Sequence, residues 1–271
     1  MLKFTLFKSV LICCLTCLLC SACWSQEKKF VEFSRFSAQE ARQGIAVDDK
    51  YIYVVGTKEI AKYNKVTKQL IKRWQGKEDG PIIHLDSGVI VDGKLYCAHS
   101  NYPEIPMTSS VEIWDSETLE HIDSHSFGIQ WGSCTWIDRY DNFWWVTFAH
   151  YEKWKAEIGK GTNWTTLIKF DDRWQKLQAW IFPKTVIERF LPMSNSGGSW
   201  GSDSLLYCTG HDRSEVYALK LPRQGSVLEL VEIIPMGILG QGIAWDRFEQ
   251  NTIYGIKNQD RLVVAFRLIR D

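Results

Sequence analysis

Gly44-Ile45-Ala46-Val47-Asp48-Asp49-Lys50-Tyr51-Ile52-Tyr53-Val54-Val55 reads as two short apolar runs on either side of an Asp-rich turn. A small residue opens the stretch. Val, Ile and Tyr fill both runs, as buried strands require. The same pattern returns at Gly88, Gly132, Gly198 and Gly242, at gaps of 44, 44, 66 and 44 residues. One unit therefore carries an insertion of about half a repeat. A period in the forties with several short strands per unit marks a β-propeller blade. The predicted fold is all-β: a five-bladed β-propeller of four-stranded antiparallel blades.

The fifth unit supplies only three strand patterns, at 243–245, 252–256 and 262–268. Its missing outer strand is found at the other end of the chain. Val31-Glu32-Phe33 followed by Arg42-Gln43-Gly44 parallels Val231-Glu232-Ile233 followed by Gly240-Gln241-Gly242. The second stretch is the outer strand of unit four leading into unit five. The first is then an outer strand placed to complete the last blade. That closure removes two exposed sheet edges.

Two hairpins share a further pattern, Ile60-Ala61-Lys62-Tyr63-Asn64-Lys65-Val66-Thr67 and Val111-Glu112-Ile113-Trp114-Asp115-Ser116-Glu117-Thr118. Each alternates apolar residues, ends in Asn or Asp, and places Thr three positions later. This hairpin resembles those of YVTN-type and quinoprotein-type propellers, and the chain is similar at fold level to the NHL and SMP-30-like propeller groups. The resemblance implies the fold and carries over no catalytic residue.

The start of the chain reads differently. Lys3 and Lys8 precede an apolar run at 10–20, and Ser21-Ala22 follows it. This is the layout of a secretory signal over residues 1–25, with the propeller domain at 26–271. The run is too short to span a bilayer. Two exits are open. Cys20-Ser21-Ala22-Cys23 resembles a bacterial lipobox, with Cys20 where an aliphatic residue is usual, and would leave a lipid on Cys23. Cleavage near Ala22 or Ser25 would release a soluble periplasmic or extracellular protein. Both exits predict export, and only the first predicts membrane contact. Lys+Arg and Asp+Glu are balanced at 32 each, so no global field draws in nucleic acid. Outside the leader the cysteines are Cys97, Cys134 and Cys208, an odd set with no CxxC pair. That argues against a disulfide framework and a structural zinc site. A monomer is expected.

Blade geometry orders the loops. Connections from strand four to strand one, and from strand two to strand three, share the face where ligands usually enter. His84 maps to this face. His99, His150 and His211 each end a second strand, with Lys257 at the matching place in unit five. Repetition about an axis is expected to gather them. Three readings follow. His99, His150 and His211 bind one divalent metal ion; or they act as acid–base groups while His84 and Lys257 hold an anionic substrate; or they cap strand ends. Trp131 and Trp154 offer rings for a sugar, and Asn101 opens an extended loop at 101–109. Further long loops run at 152–163 and 184–196, and such loops on a rigid scaffold carry binding function.

Asp86, Glu104, Glu152, Asp212 and Asp260 reach the same face and read as solvated loop charges. A pair of them would be needed for glycoside hydrolysis. Asp48, Asp92, Asp138, Asp203 and Asp246 fall in turns on the opposite face, where turn chemistry explains them. Gly197-Gly198-Ser199-Trp200-Gly201 matches G-x-S-x-G, but a strand pattern follows it where a nucleophile elbow needs a helix. The expected function is an exported enzyme on a small carboxylated or sugar-derived substrate, of hydrolase, lactonase, lyase or isomerase type. The alternatives are a glycan- or peptide-binding module and a protein-docking scaffold.

Overall fold

A computed structural model describes residues 28–152 and 156–270. The leader at 1–25, with Cys23, and Trp154 lie outside the described residues.

The first strand, β1 (Lys28–Ser37), belongs to the last blade. Blade one is β2 (Gly44–Val47), β3 (Tyr51–Val55), β4 (Glu59–Asn64) and β5 (Leu70–Gln75). Blade two is β6 (His84–Val91), β7 (Lys94–Ser100), β8 (Ser109–Asp115) and β9 (His121–Gly128). Blade three is β10 (Ser133–Tyr140), β11 (Phe143–Ala149), β12 (Thr166–Phe170) and β13 (Lys176–Ile181). A short helix, α1 (Lys184–Phe190), leads to blade four: β14 (Gly197–Trp200), β15 (Leu206–Thr209), β16 (Glu215–Lys220) and β17 (Glu229–Pro235). Blade five is β18 (Ile243–Trp245), β19 (Thr252–Lys257) and β20 (Leu262–Arg270), with β1 hydrogen-bonded outside β20.

The ring closes as the duplicated outer-strand pattern predicts. β1 pairs antiparallel with β20 from Lys28 opposite Arg270 to Ser37 opposite Leu262, with one register shift between Glu32 and Ser34. At the seam between blades five and one, Lys65 Nζ lies 2.5 Å from Asp246 Oδ2, with both side chains buried. Ser199, in the rejected G-x-S-x-G stretch, lies in β14 and donates to Asp138 Oδ2 at 3.1 Å.

Burial falls from the axis outward. The middle strand β3 is nearly all buried and the outer strand β5 is nearly all exposed. Aromatic rings fill the wedges between blades. Trp74 meets Trp114 at 5.0 Å between blades one and two, and Trp145 meets Trp200 at 4.8 Å between blades three and four. Trp245 meets Tyr207 at 5.0 Å between blades four and five. Edge-on and tilted contacts of this kind add to the area that the rings bury. Cys97, Cys134 and Cys208 are buried thiols in this packing.

The repeat glycines have a packing cause, but they do not share one register position. Gly44 and Gly197 pair with Val55 and Thr209, whereas Gly88 and Gly198 sit one residue further along, opposite Cys97 and Cys208. A Cβ on Gly44 would lie 2.5 Å from Ser87 Cα, one on Gly242 would lie 2.6 Å from Gly44 Cα, and one on Gly197 would lie 2.8 Å from Gly242 Cα. Inner strands of neighbouring blades therefore touch backbone to backbone. Glycine at three of the five inner strands lets the backbones close on the axis, and with Ser87 these residues pinch the central channel into two separate funnels.

Candidate active-site funnel

The funnel on the face of the strand-two-to-three loops is a cavity of about 170 Å³. Gln43, Asp86, Thr135, Ser196 and Gln241 line its floor. Each precedes the pinch position of its own blade: Gly44, Ser87, Trp136, Gly197 and Gly242. One polar side chain per blade thus faces the axis just above the closure. This ring is the repeated functional position of the fold.

Two of the five are presented by β-bulges. The pairing of β6 with β7 shifts between Leu85 and Gly88, which contains Asp86. The pairing of β10 with β11 shifts between Cys134 and Trp136, which contains Thr135. Bulges re-aim side chains in this way beside active sites. Asp86 is 7 % exposed, and its carboxyl accepts no hydrogen bond among the described residues. Its ion-pair contact among the described residues is with His84 Nε2, 3.7 Å from Oδ2. Burial pushes the Asp86 carboxyl well above the usual carboxylate range. Burial lowers the His84 imidazole to about 4, with His99 contributing further. The Thr135 hydroxyl is buried without a hydrogen-bond partner. The floor therefore holds a carboxyl that resists ionisation and an unsatisfied hydroxyl, with the neutral His84 imidazole beside them. Unpaired buried polar groups are rare in folded proteins and mark places where a ligand supplies the missing bonds.

An outer tier surrounds this floor: Arg42, His84, Tyr102, Tyr151, His211 and Asn258. Tyr102 contacts His84 edge-on at 5.2 Å and Tyr151 at 5.1 Å. The three long loops read from the sequence converge on this wall. Met107, Ala149 and Tyr151 form one buried cluster, with Tyr102 and Met193 packed against it. Thr162 Oγ1 also donates to Met193 O at 2.8 Å.

The structure does not bring His99, His150 and His211 into one group. His99 lies within β7 opposite Leu85, His150 follows the end of β11, and His211 lies two residues past β15. Their side chains consequently point to different partners. His99 Nε2 accepts from Ile83 N at 2.9 Å, and Nδ1 faces Ser110 Oγ at 2.8 Å, which in turn donates to Glu112. His150 Nε2 donates to Trp131 O at 3.0 Å, and Nδ1 lies 3.2 Å from Glu157 Oε2. Burial lowers both imidazoles. His211 alone reaches the funnel, with Nδ1 held by Asp212 at 2.5 Å. These rings do not fit a shared metal ion, and among the described residues no cluster of three His, Cys, Asp or Glu is placed to hold one.

The other sequence candidates divide. His84 lines the funnel. Lys257 pairs with Glu32 at 3.5 Å and lines a separate side cleft. Trp131 packs near Phe148 at 6.3 Å, with Lys176 Nζ 4.8 Å from its ring, and is not among the funnel residues. Asn101 latches its own loop, accepting from Thr108 N and donating to Pro106 O. Asp86, read from the sequence as a solvated loop charge, is instead buried at the centre. The signal that could have found it is the polar residue before each pinch position, which begins with the matched Gln43-Gly44 and Gln241-Gly242.

A larger cavity of about 720 Å³ opens at the other mouth of the channel. Its buried Asp138 is already satisfied by Arg247, Ser199 and Trp200, so this carboxylate, unlike Asp86, has its acceptors filled by the protein.

No protein-family model and no curated protein sequence matches the chain. Its fold is similar to the PQQ-bound aldose sugar dehydrogenase of Streptomyces coelicolor, with TM-score 0.55 and 9% identity over 90% of this chain and 99% of that one. It is also similar to a luciferin-regenerating enzyme, with TM-score 0.50 and 9% identity over 87% and 94%. At identities this low the likeness concerns architecture: the chain is a five-bladed β-propeller.

Proposed function

We propose that the protein is an exported enzyme that takes a small, hydroxyl-rich, sugar-derived substrate into the polar funnel and uses Asp86 as its proton donor and acceptor. The observation that carries this reading is the Asp86 carboxyl, buried on a bulge at the axis without a hydrogen-bond donor of its own. A carboxyl held above its ordinary range is suited to general acid–base work near neutral pH.

The surrounding groups fit such a substrate. Gln43 and Gln241 bring carboxamides, Thr135 and Ser196 bring hydroxyls, and the Tyr102–Tyr151 wall offers ring surface. About 170 Å³ is well below the roughly 300–1,000 Å³ of sites for drug-sized ligands, which favours a single sugar unit. Arg42 and His211 stand at the rim, where a substrate carboxylate would meet them. Asp86 is the only carboxyl among the described lining residues, so the paired-carboxylate route of glycoside hydrolysis has no second member there. That favours proton transfer at one centre, as in lactone opening, elimination or isomerisation. The similar propeller folds include enzymes, which agrees with this reading.

The test is turnover of a panel of aldoses, sugar lactones and sugar acids by the wild type and by Asp86→Asn. Loss of turnover with retained substrate binding supports the assignment. Undiminished turnover by Asp86→Asn would overturn it. Binding without turnover anywhere on the panel would make the funnel a receptor for the same ligand class.

A further inference from the structure

The opposite mouth of the channel differs in chemistry from the polar funnel. All five blades line its cavity of about 720 Å³, a volume within the range of small-molecule sites. Its inner wall is apolar, with Val47, Val89, Val91, Ala244 and Trp245 along the innermost strands. Phe248 stands at the rim and is 64 % exposed, an unusual position for a large aromatic side chain. The glycine and serine contacts at the axis separate this cup from Asp86.

The rim charges give the cup a sign. Three of its four cations are held by neighbours, and the fourth, Lys50, is largely exposed and reaches Asp49 only at 4.0 Å. Lys62 Nζ donates to Ser116 O at 2.9 Å and lies 3.9 Å from the Tyr51 ring centre. Arg139 pairs with Asp172 at 2.7 Å, and Arg247 pairs with Asp138 at 2.8 Å. The carboxylates of Asp92 and Glu117 have no hydrogen bond or ion pair among the described residues. The lining carries five carboxylates (Asp48, Asp49, Asp92, Glu117 and Asp138) against four cations (Lys50, Lys62, Arg139 and Arg247), so the cup has a net negative sign. The aromatic rings there already serve as cation platforms, since Lys65 Nζ also lies 6.0 Å from the Phe248 ring centre.

We infer that this mouth is a second ligand site, independent of the polar funnel, for a small organic cation with an apolar body such as an aryl- or alkylammonium. The apolar wall takes the body, and Asp92 and Glu117 favour the positive head. The carboxylates are solvated, so they set charge preference more than affinity.

The probes are three phenyl compounds of similar size: benzyltrimethylammonium, benzyl alcohol and benzoate. Binding is followed by calorimetry and by the assigned NMR resonances of Trp245 and Phe248. The ammonium is expected to bind tightest and benzoate weakest, with shifts confined to the cup. Asp92→Asn with Glu117→Gln should weaken the ammonium severalfold and leave benzyl alcohol unchanged. Asp86→Asn should leave all three unchanged. Tighter binding of benzoate, no binding of the ammonium, or loss of its binding in Asp86→Asn would each overturn the inference. Asp92 has a positive φ of 48°, which Asn tolerates, and both substituted side chains are exposed, so the variants are expected to fold.

Discussion

Arg247 Nη2 lies 3.0 and 2.8 Å from the two carboxylate oxygens of Asp138, across a sequence separation of 109 residues. Arg247 belongs to the turn after β18 in blade five, and Asp138 lies on β10 in blade three. Between them, in blade four, Ser199 Oγ and Trp200 N also donate to Asp138 Oδ2, at 3.1 and 2.7 Å. One buried carboxylate thus joins three blades where the turns meet the axis.

Asp138→Ala should therefore destabilise the fold. It leaves the Arg247 guanidinium and the Trp200 N–H without their acceptor, at a cost of about 2–4 kcal/mol. Arg247→Ala should cost less, about 1–2 kcal/mol, because Asp138 keeps three donors, Arg139 N, Ser199 Oγ and Trp200 N, and Arg247 is already partly solvated. Urea unfolding of the two variants checks the order. A larger loss for Arg247→Ala would mean that the arginine acts by its packing, not through Asp138.

The backbone contacts at the axis predict a sharp contrast between two glycines. Gly242→Ala places a Cβ 2.6 Å from Gly44 Cα, and only movement of blades can relieve it. The expected loss is about 1–3 kcal/mol or more. Gly237→Ala meets only ordinary contacts, the nearest at 3.6 Å to Phe266, and should stay within about 0.5 kcal/mol of the parent. Thermal unfolding of both proteins is the measurement, and equal midpoints would contradict the pinch.

His99 and His211 should behave oppositely. His99→Ala removes the acceptor of the part-buried Ile83 N and the partner of the buried Ser110 hydroxyl, and should cost about 1–3 kcal/mol. His211 sits at the funnel rim, and His211→Ala should leave stability nearly unchanged while weakening an anionic substrate. Paired measurements of unfolding and KM separate the two effects. A stable His99→Ala with abolished turnover would restore the sequence-based assignment.

Acid should weaken the fold in a defined window. Burial lowers the imidazoles of His84, His99 and His150. Their unfolded counterparts take up protons below about 6.5. At these imidazoles the unfolded state then binds more protons than the native state, so their contribution to stability falls as pH falls. For His84 the fall runs from about 6.5 to about 4 and is worth on the order of 3 kcal/mol at its acid end. His84→Gln should flatten that part of the profile. The raised Asp86 carboxyl contributes with the opposite sign over this range, so the profile is read in Asp86→Asn, where midpoints that rise between pH 6.5 and 4 would contradict the neutral buried imidazoles.

The blade count, the strand order and the closure by residues near the start of β1 were legible because each is written as local periodicity. Alternating Val, Ile and Tyr around Asp turns needs no partner to be recognised, and Val31-Glu32-Phe33 could be matched to Val231-Glu232-Ile233 by eye. The site was less legible because it depends on register. His99, His150 and His211 look equivalent in spacing, yet one- and two-residue offsets from the strand ends turn them toward different partners. Asp86 looks like a loop carboxylate beside His84. Only the bulge between Leu85 and Gly88 turns it to the axis, and no side-chain pattern along the strand announces a bulge. The three loops at 101–109, 152–163 and 184–196 were visible as insertions, but their meeting around Tyr151 through Met107, Thr162 and Met193 is a tertiary fact.

The most direct test is a carboxyl-carbon NMR titration of Asp86 in the ligand-free protein, identified by the loss of its resonance in Asp86→Asn. The expected midpoint lies well above the ordinary aspartate value of about 3.9. A midpoint at or below that value would show a solvated, ionised carboxylate, and the polar funnel would lose its acid–base group.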